Sequence, residues 1–252
     1  MSATRPETQG RLRGRRVLVV GASRGIGRAI GLRAHGEGAA VTFAARDAGR
    51  LRDAVAGCGD DAVAVPCDVR DPDQCRAVVS RATEAMGGLD ALVYAAGVTR
   101  FVELAGATAE DWRQVLETNV VGAGLVTTAA MGHLRASSGH AVYLSSEAAA
   151  YRPDAWRGIG LYLASKAALE SLARSVQVEA PDVAVTTYVV GSTLSEIGSD
   201  DPEAMAGFVS EWYERGYLRD RILEPEVHAK AVVDILAGGA WIETVSVRAR
   251  RA

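Results

Sequence analysis

Apolar residues in this chain fall into short runs that end on glycine, proline or charge, with longer stretches of helical spacing between them. Residues 17–20, Val-Leu-Val-Val, form an unbroken apolar run stopped by Gly21, the pattern of a strand buried on both faces. The spacing then predicts a helix over 26–35 that stops at Gly36. Further strands are predicted over 40–44, 62–65, 89–95, 141–144, 183–190 and 241–247, with Pro66 closing the third of the seven. A helix is predicted to start at Asp71-Pro72, where the aspartate caps free N–H groups and the proline takes the first helical position. Others are predicted over 109–134, over 161–179 before Pro181, and from Glu224-Pro225 through 236. Strands alternating with helices imply an α/β fold, a doubly wound parallel sheet of about seven strands with helices on both faces.

Composition narrows the function more than the fold. The chain has 252 residues, 48% hydrophobic and 23% charged, within the range of an ordinary globular domain. A net charge of −3 gives no bulk case for nucleic acid or an anionic membrane as partner. No run reaches the ~18 apolar residues of a membrane span. Residues 1–14 are polar and Arg-rich without an apolar segment of the secretory kind, and read as a flexible basic leader. A single domain is expected over 15–252, and the cytoplasm is the expected compartment. Cys58, Cys67 and Cys75 have no metal-like spacing and read as reduced thiols, with no metal expected.

Candidate chemistry begins directly after the first strand. Gly21-Ala-Ser-Arg-Gly25-Ile-Gly27 joins that strand to the first helix. Glycines let a backbone turn tightly and approach a pyrophosphate, and the helix N-terminus offers free N–H groups and partial positive charge. The second strand runs into Phe43-Ala44-Ala45-Arg46, with no acid at its end to hold a ribose 2′-hydroxyl. Arg46 there and Arg24 inside the glycine loop suit a 2′-phosphate, which accepts forked, charge-assisted hydrogen bonds. NADP(H) is therefore expected over NAD(H), with Asp47 a possible competitor for Arg46.

Tyr162-Leu-Ala-Ser-Lys166 lies in a predicted helix, where residues four apart share a face. Lys166 and Lys230 are the only lysines among 28 Lys plus Arg, so a lysine here suggests chemistry that arginine cannot supply. A phenol with a reference pKa near ~10 is a poor base at neutral pH, and a nearby ammonium favours its phenolate.

In their order along the chain these segments closely resemble the short-chain dehydrogenase/reductase family, over roughly 15–247. The family's acid after strand three is matched by Asp68 in Cys67-Asp-Val69, its segment after strand four by Tyr94-Ala-Ala-Gly97, its helix asparagine by Asn119 and its strand-five serine by Ser146. The resemblance implies a single-domain Rossmann-type fold and NADP(H). It implies cofactor contacts from Gly21, Ser23, Arg24, Gly25, Ile26, Gly27, Arg46, Asp68, Val69, Ala95, Ala96, Gly97, Asn119, Tyr162, Lys166, Gly191 and Thr193. It further implies that Tyr162 exchanges a proton with the substrate oxygen and that Ser146 polarises that oxygen. Lys166 would lower the Tyr162 pKa and hold the nicotinamide ribose, and Asn119 would anchor a water. The expected reaction is hydride transfer between NADPH and a carbonyl or secondary alcohol of a medium-sized, apolar small molecule. The alternative is a non-catalytic NADP(H) sensor on the same fold. A homodimer or homotetramer is implied.

Three departures from the family pattern bear on the site. Tyr94-Ala95 replaces two asparagines, Val190-Gly191 replaces the usual Pro-Gly, and residues 151–160 are longer than usual, with Trp156 and Arg157 expected on the pocket rim. Ser195 corresponds to a family threonine. Residues 191–223 are the expected substrate lid. Its Met205, Phe208, Trp212, Tyr213 and Tyr217 read as core or interface more readily than as substrate contacts, and its Glu211, Glu214, Arg215, Arg219 and Arg221 as a solvated face.

Overall fold

The structure is a computed structural model that describes residues 10–59, 61–149, 156–194, 197, 202–217 and 222–250. Seven parallel strands, β1 (Arg16–Val20), β2 (Ala40–Ala45), β3 (Ala62–Pro66), β4 (Ala91–Tyr94), β5 (His140–Ser146), β6 (Ala184–Val190) and β7 (Thr244–Val247), form one sheet in the order β3-β2-β1-β4-β5-β6-β7. The expected doubly wound sheet is present. Chain order reverses between β1 and β4, and the carboxyl ends beside such a reversal are where open α/β sheets leave a crevice.

Alternation along each strand divides the core in two. Leu18 and Val20 of β1 face one layer while Val17 and Val19 face the other. The first layer is completed by α3 (Pro72–Met86), α5 (Gly122–Ala136) and α6 (Gly160–Glu179), and the second by α1 (Gly25–Gly36), α2 (Ala48–Val55) and α8 (Pro225–Ala237). Caps set the helix starts. Asp71 accepts from the N–H groups of Asp73 and Gln74 with Pro72 in the first turn. The short α2 was not expected from the sequence; Asp47 caps it, accepting from Gly49 and Arg50.

Two expectations need correction. The leader is not wholly free: Leu12 is fully buried, its N–H bonds the Glu37 carbonyl at 2.9 Å, and Arg11 pairs with Glu37 and Asp234. One apolar side chain among charges was too weak a pattern to show this. The helix over 109–134 is α4 (Ala109–Leu116) joined to α5 by a π-helical turn, Glu117–Val121, that carries Asn119. Such a turn adds a residue per hydrogen-bonded loop and recurs at functional sites. Cys58, Cys67 and Cys75 are free thiols.

Two buried histidines give the fold a pH response. Burial lowers His140 at the start of β5 from 6.5 to about 4, and His228 on α8 likewise to about 4. The unfolded chain protonates these rings as pH drops through 6.5 and the folded chain does so only near 4, so stability is lost across that window as pH falls. Asp111, held near 2 by Thr108 and Arg100, loses its contribution only at lower pH, as it is protonated from about 4 downward. The melting temperature should therefore fall steadily from about pH 6.5 to 4, and His140→Asn should shallow that fall. A flat profile across the window would contradict the assignment.

Candidate active site

The carboxyl ends of β1, β2, β4, β5 and β6 open into one cavity of about 620 Å³. Of the residues for which the resemblance implies cofactor contact or catalysis, all but Asn119 line it.

At one end lies the glycine loop. Gly21 has φ +88°, and its N–H bonds the Ala44 carbonyl at 2.7 Å. A Cβ on Gly27 would meet the Gly21 carbonyl oxygen at 2.2 Å, and a Cβ on Gly21 would meet the Ala96 nitrogen at 2.4 Å. The first turn of α1 carries no acid, so its free N–H groups face the cavity uncompensated. This glycine-lined cradle fits a pyrophosphate.

Beyond the cradle, Arg24, Arg46, Arg50 and Arg70 line the same end. Asp47 caps α2 and faces Arg50 at 3.7 Å, so its main partner is not Arg46. Asp68 is bound by Arg70, with Nη2 to Oδ2 at 2.6 Å; that hydrogen bond holds its carboxyl below the usual range, and Arg46 adds to the effect. Arg50, Arg70 and Glu147 were missed in the sequence. Arg70 and Glu147 sit beside motif residues, and that adjacency was the available signal.

The other end holds Ser146, Tyr162 and Lys166. Ser146 ends β5, with its Oγ accepting from the Ala148 N–H at 3.2 Å. Tyr162 and Lys166 stand one turn apart on α6, with Lys166 Nζ 5.6 Å from the phenol ring centroid. Lys166 is 4% exposed, and its Nζ donates to the Leu144 carbonyl at 2.7 Å. Burial lowers it to about 8, opposed by Glu170. Burial pushes the phenol up to about 12, and the group that pulls it back is a hydrogen bond with Ser146.

Asn119 lies behind this wall, fully buried. Its Nδ2 donates to the Val98 carbonyl and to Ser165 Oγ, both at 2.9 Å, while its Oδ1 accepts from the Val98 N–H at 2.8 Å. One side-chain N–H and the carbonyl oxygen thus hold the chain after β4 at Val98, and the other N–H reaches Ser165 on α6. Tyr94, in place of an asparagine, donates instead to the Thr118 carbonyl at 2.6 Å from within the core. After β6, Glu147 Oε1 accepts from the N–H and Oγ of Ser192, both at 2.9 Å, and Thr193 Oγ1 donates to the Gly191 carbonyl at 2.7 Å.

Aromatic residues close the far side. Trp156 meets Trp212 edge-on at 5.2 Å and Phe101 lies 5.9 Å from Trp212, with Phe208, Tyr217 and Tyr162 packed against the same cluster. Met205, Trp212 and Tyr213 line the cavity, so α7 (Pro202–Glu214) supplies wall as well as core. Glu211 is not simply solvated: it pairs with Arg157 at 3.2 Å and Arg215 at 2.9 Å, and Trp212 Nε1 donates to the Arg157 carbonyl at 3.0 Å. Ser195, residues 151–155, Arg219 and Arg221 lie outside the described residues. Among the described residues no acidic, His or Cys cluster suits a metal and no helix is long and apolar enough to cross a membrane.

Comparison with known proteins agrees with this geometry. The family model for short chain dehydrogenases matches residues 15–205. A glycine betaine reductase from Emericella nidulans is 30% identical over 90% of this chain, which spans only 18% of that protein. The granaticin polyketide synthase putative ketoacyl reductase 2 of Streptomyces violaceoruber is 38% identical over 54% of this chain and 56% of its own length. Among solved structures, a dehydrogenase/reductase from Sinorhizobium meliloti is 30% identical with a TM-score of 0.81, covering 96% of each chain. A short chain dehydrogenase from Burkholderia cenocepacia, in complex with NADP, is 30% identical with a TM-score of 0.80 over 94% of this chain and 98% of its own. The chain belongs to the short-chain dehydrogenase family, oxidoreductases that use nicotinamide cofactors and act on small molecules.

Proposed function

We propose that this protein is an NADPH-dependent reductase of a carbonyl on a medium-sized, apolar small molecule. The observation that carries the reading is the buried grouping of Ser146, Tyr162 and Lys166 in the same cavity as the glycine cradle. The bound dihydronicotinamide supplies the hydride; the chain's own residues orient the carbonyl and deliver the proton. Ser146 Oγ holds the carbonyl oxygen, and the Tyr162 O–H donates the proton that the oxygen takes up. Burial holds the phenol up at about 12, so at neutral pH its oxygen carries the proton to be donated. Lys166, buried and cationic, holds the ribose of the nicotinamide half. Asn119 acts through position, by fixing the Val98 loop and Ser165.

Preference for the 2′-phosphate rests on Arg24 and Arg46, with Arg50 and Arg70 reinforcing the positive field at that end. Replacing Arg24 and Arg46 together with alanine should raise the KM for NADPH by about tenfold to a hundredfold, the usual worth of charged hydrogen bonds, and leave that for NADH nearly unchanged. The apolar walls from Phe101, Trp156 and Trp212 support an apolar substrate. In this reading 15–252 is one catalytic domain, 1–14 its basic leader and 191–223 its lid, and the protein works as a cytoplasmic homodimer or homotetramer.

The test is NADPH oxidation by the purified protein across ketones and quinones, with NADH in parallel. NADPH-dependent turnover supports the reading. Tight NADPH binding without turnover on any carbonyl would favour a sensor, and a preference for NADH would overturn the roles of Arg24 and Arg46.

A further inference from the structure

His228 is fully buried in α8, outside every motif, and no step so far uses it. Burying an imidazole costs free energy unless both nitrogens find partners. Both do. Nδ1 lies 2.9 Å from the Tyr188 hydroxyl on β6, and Nε2 lies 2.7 Å from Thr193 Oγ1. Burial lowers the ring to about 4, so it is neutral at neutral pH and carries one N–H.

Counting protons settles which nitrogen holds it. Thr193 has one hydroxyl hydrogen, and its oxygen stands 2.7 Å from the Gly191 carbonyl, a contact between two oxygens that is attractive only with a proton between them. The Thr193 proton therefore goes to Gly191. Nε2 must then be the donor to Thr193, and Nδ1 the acceptor from Tyr188. Thr193 has given away its hydrogen and one lone pair, so its oxygen has only acceptor capacity left, and the residue is part of the cavity lining.

That polarity has a natural match. Val190 is the register partner of Ser146, so the turn of Gly191 to Thr193 follows the strand end beside the reacting centre. The carboxamide of a nicotinamide is attached next to the carbon that carries the hydride, and its NH2 needs acceptors in a water-poor site. Ser192, the neighbour of Thr193, has both its N–H and its hydroxyl hydrogen committed to Glu147. The turn thus lacks a rigidifying proline at Val190 and is held instead by two buried side chains, Glu147 from the end of β5 and His228 from α8.

We propose that His228 is a positioning residue for the cofactor: by donating from Nε2 to Thr193 Oγ1 it holds in place a hydroxyl whose own proton goes to Gly191, so that its remaining lone pair can accept from the nicotinamide carboxamide. This rests on the nicotinamide reading above, and the test separates the two.

Two measurements suffice. In wild-type protein labelled with 15N-histidine, His228 should show the Nε2–H form, with Nδ1 unprotonated, at neutral pH; the Nδ1–H form would overturn the proposal without any variant. Calorimetric titration then compares NADP+ with its 3-acetylpyridine analogue, in which an acetyl group without N–H replaces the carboxamide. His228→Asn is too short to reach Thr193, whereas His228→Gln places its amide nitrogen near the position of Nε2. The asparagine variant, which no longer holds the Thr193 hydroxyl in place, should bind NADP+ about tenfold more weakly yet bind the analogue as wild type does. The glutamine variant should stay within about threefold for both ligands. Thr193→Val, which removes the proposed acceptor itself, should reproduce the asparagine pattern. Equal weakening for both ligands, or none for NADP+, would reduce His228 to a core residue. Failure of wild-type protein to bind NADP+ at all would remove the nicotinamide reading, and this proposal with it.

Discussion

Tyr162→Phe is expected to lower kcat for carbonyl reduction by about 10³-fold, within the 10²–10⁴ range of a positioned proton donor. Phenylalanine keeps the ring contacts that Tyr162 makes with the aromatic cluster around Trp156, Ile159 and Trp212, so the fold should be undisturbed. Only the hydroxyl is removed, and with it the atom that donates to the carbonyl oxygen and its hydrogen bond with Ser146. The dissociation constant for NADPH should change by less than about threefold, because the proposed anion contacts lie at the glycine loop and the arginines, not at the phenol. Single-turnover kinetics and calorimetry check the two halves separately. Retention of more than about a tenth of the wild-type kcat would show that another group delivers the proton. Since the phenol is held at about 12, reduction should show no loss through deprotonation of Tyr162 between neutral pH and about 10.

The second large effect concerns backbone rather than chemistry. Gly21→Ala should abolish measurable NADPH binding and lower the melting temperature by about 6–12 °C, for a cost near ~3 kcal/mol in a domain of this size. Gly21 has φ +88°, where a side chain costs about 1–2 kcal/mol by itself. The added Cβ would also stand 2.4 Å from the Ala96 nitrogen and 2.7 Å from the Ala95 carbonyl carbon. These are backbone atoms just beyond β4, so no rotamer change relieves the clash; the loops after β1 and β4 must part, and both line the cavity. Gly14→Ala is the control. It has φ +77° with nothing within 4 Å, so it should show the conformational cost alone and bind NADPH normally. Comparable losses in both variants would mean that packing at Gly21 is unimportant.

Much of this site was legible before any coordinates. The glycine triplet between a strand and a helix, and the Tyr–Lys spacing on a helix, are local patterns whose geometry follows from the period of the backbone. The strand pattern placed all seven strands, because fully buried parallel strands are written as continuous apolar runs. Elements with little apolar content escaped: α2 has only Leu51 and Ala54 to bury, and Leu12 docks alone among arginines. The π-turn at Asn119 could not be read either. It is a choice between hydrogen-bond partners one residue apart, and its reward is a contact with Val98 and Ser165 that are distant along the chain.

By itself the sequence determined the fold class, the glycine loop between strand and helix, and the placing of Tyr162 and Lys166 one turn apart on one helix, since each depends on neighbours within a turn or a strand. Electrostatic state was decided only by the tertiary structure. Burial raises the Tyr162 phenol and lowers the Lys166 ammonium. Asp68 is bound by Arg70, Glu147 clamps Ser192, and His228 meets the Thr193 hydroxyl from 35 residues away. Desolvation and buried hydrogen bonds depend on everything that surrounds a group, and for these residues the surroundings come from strands and helices far apart in the chain.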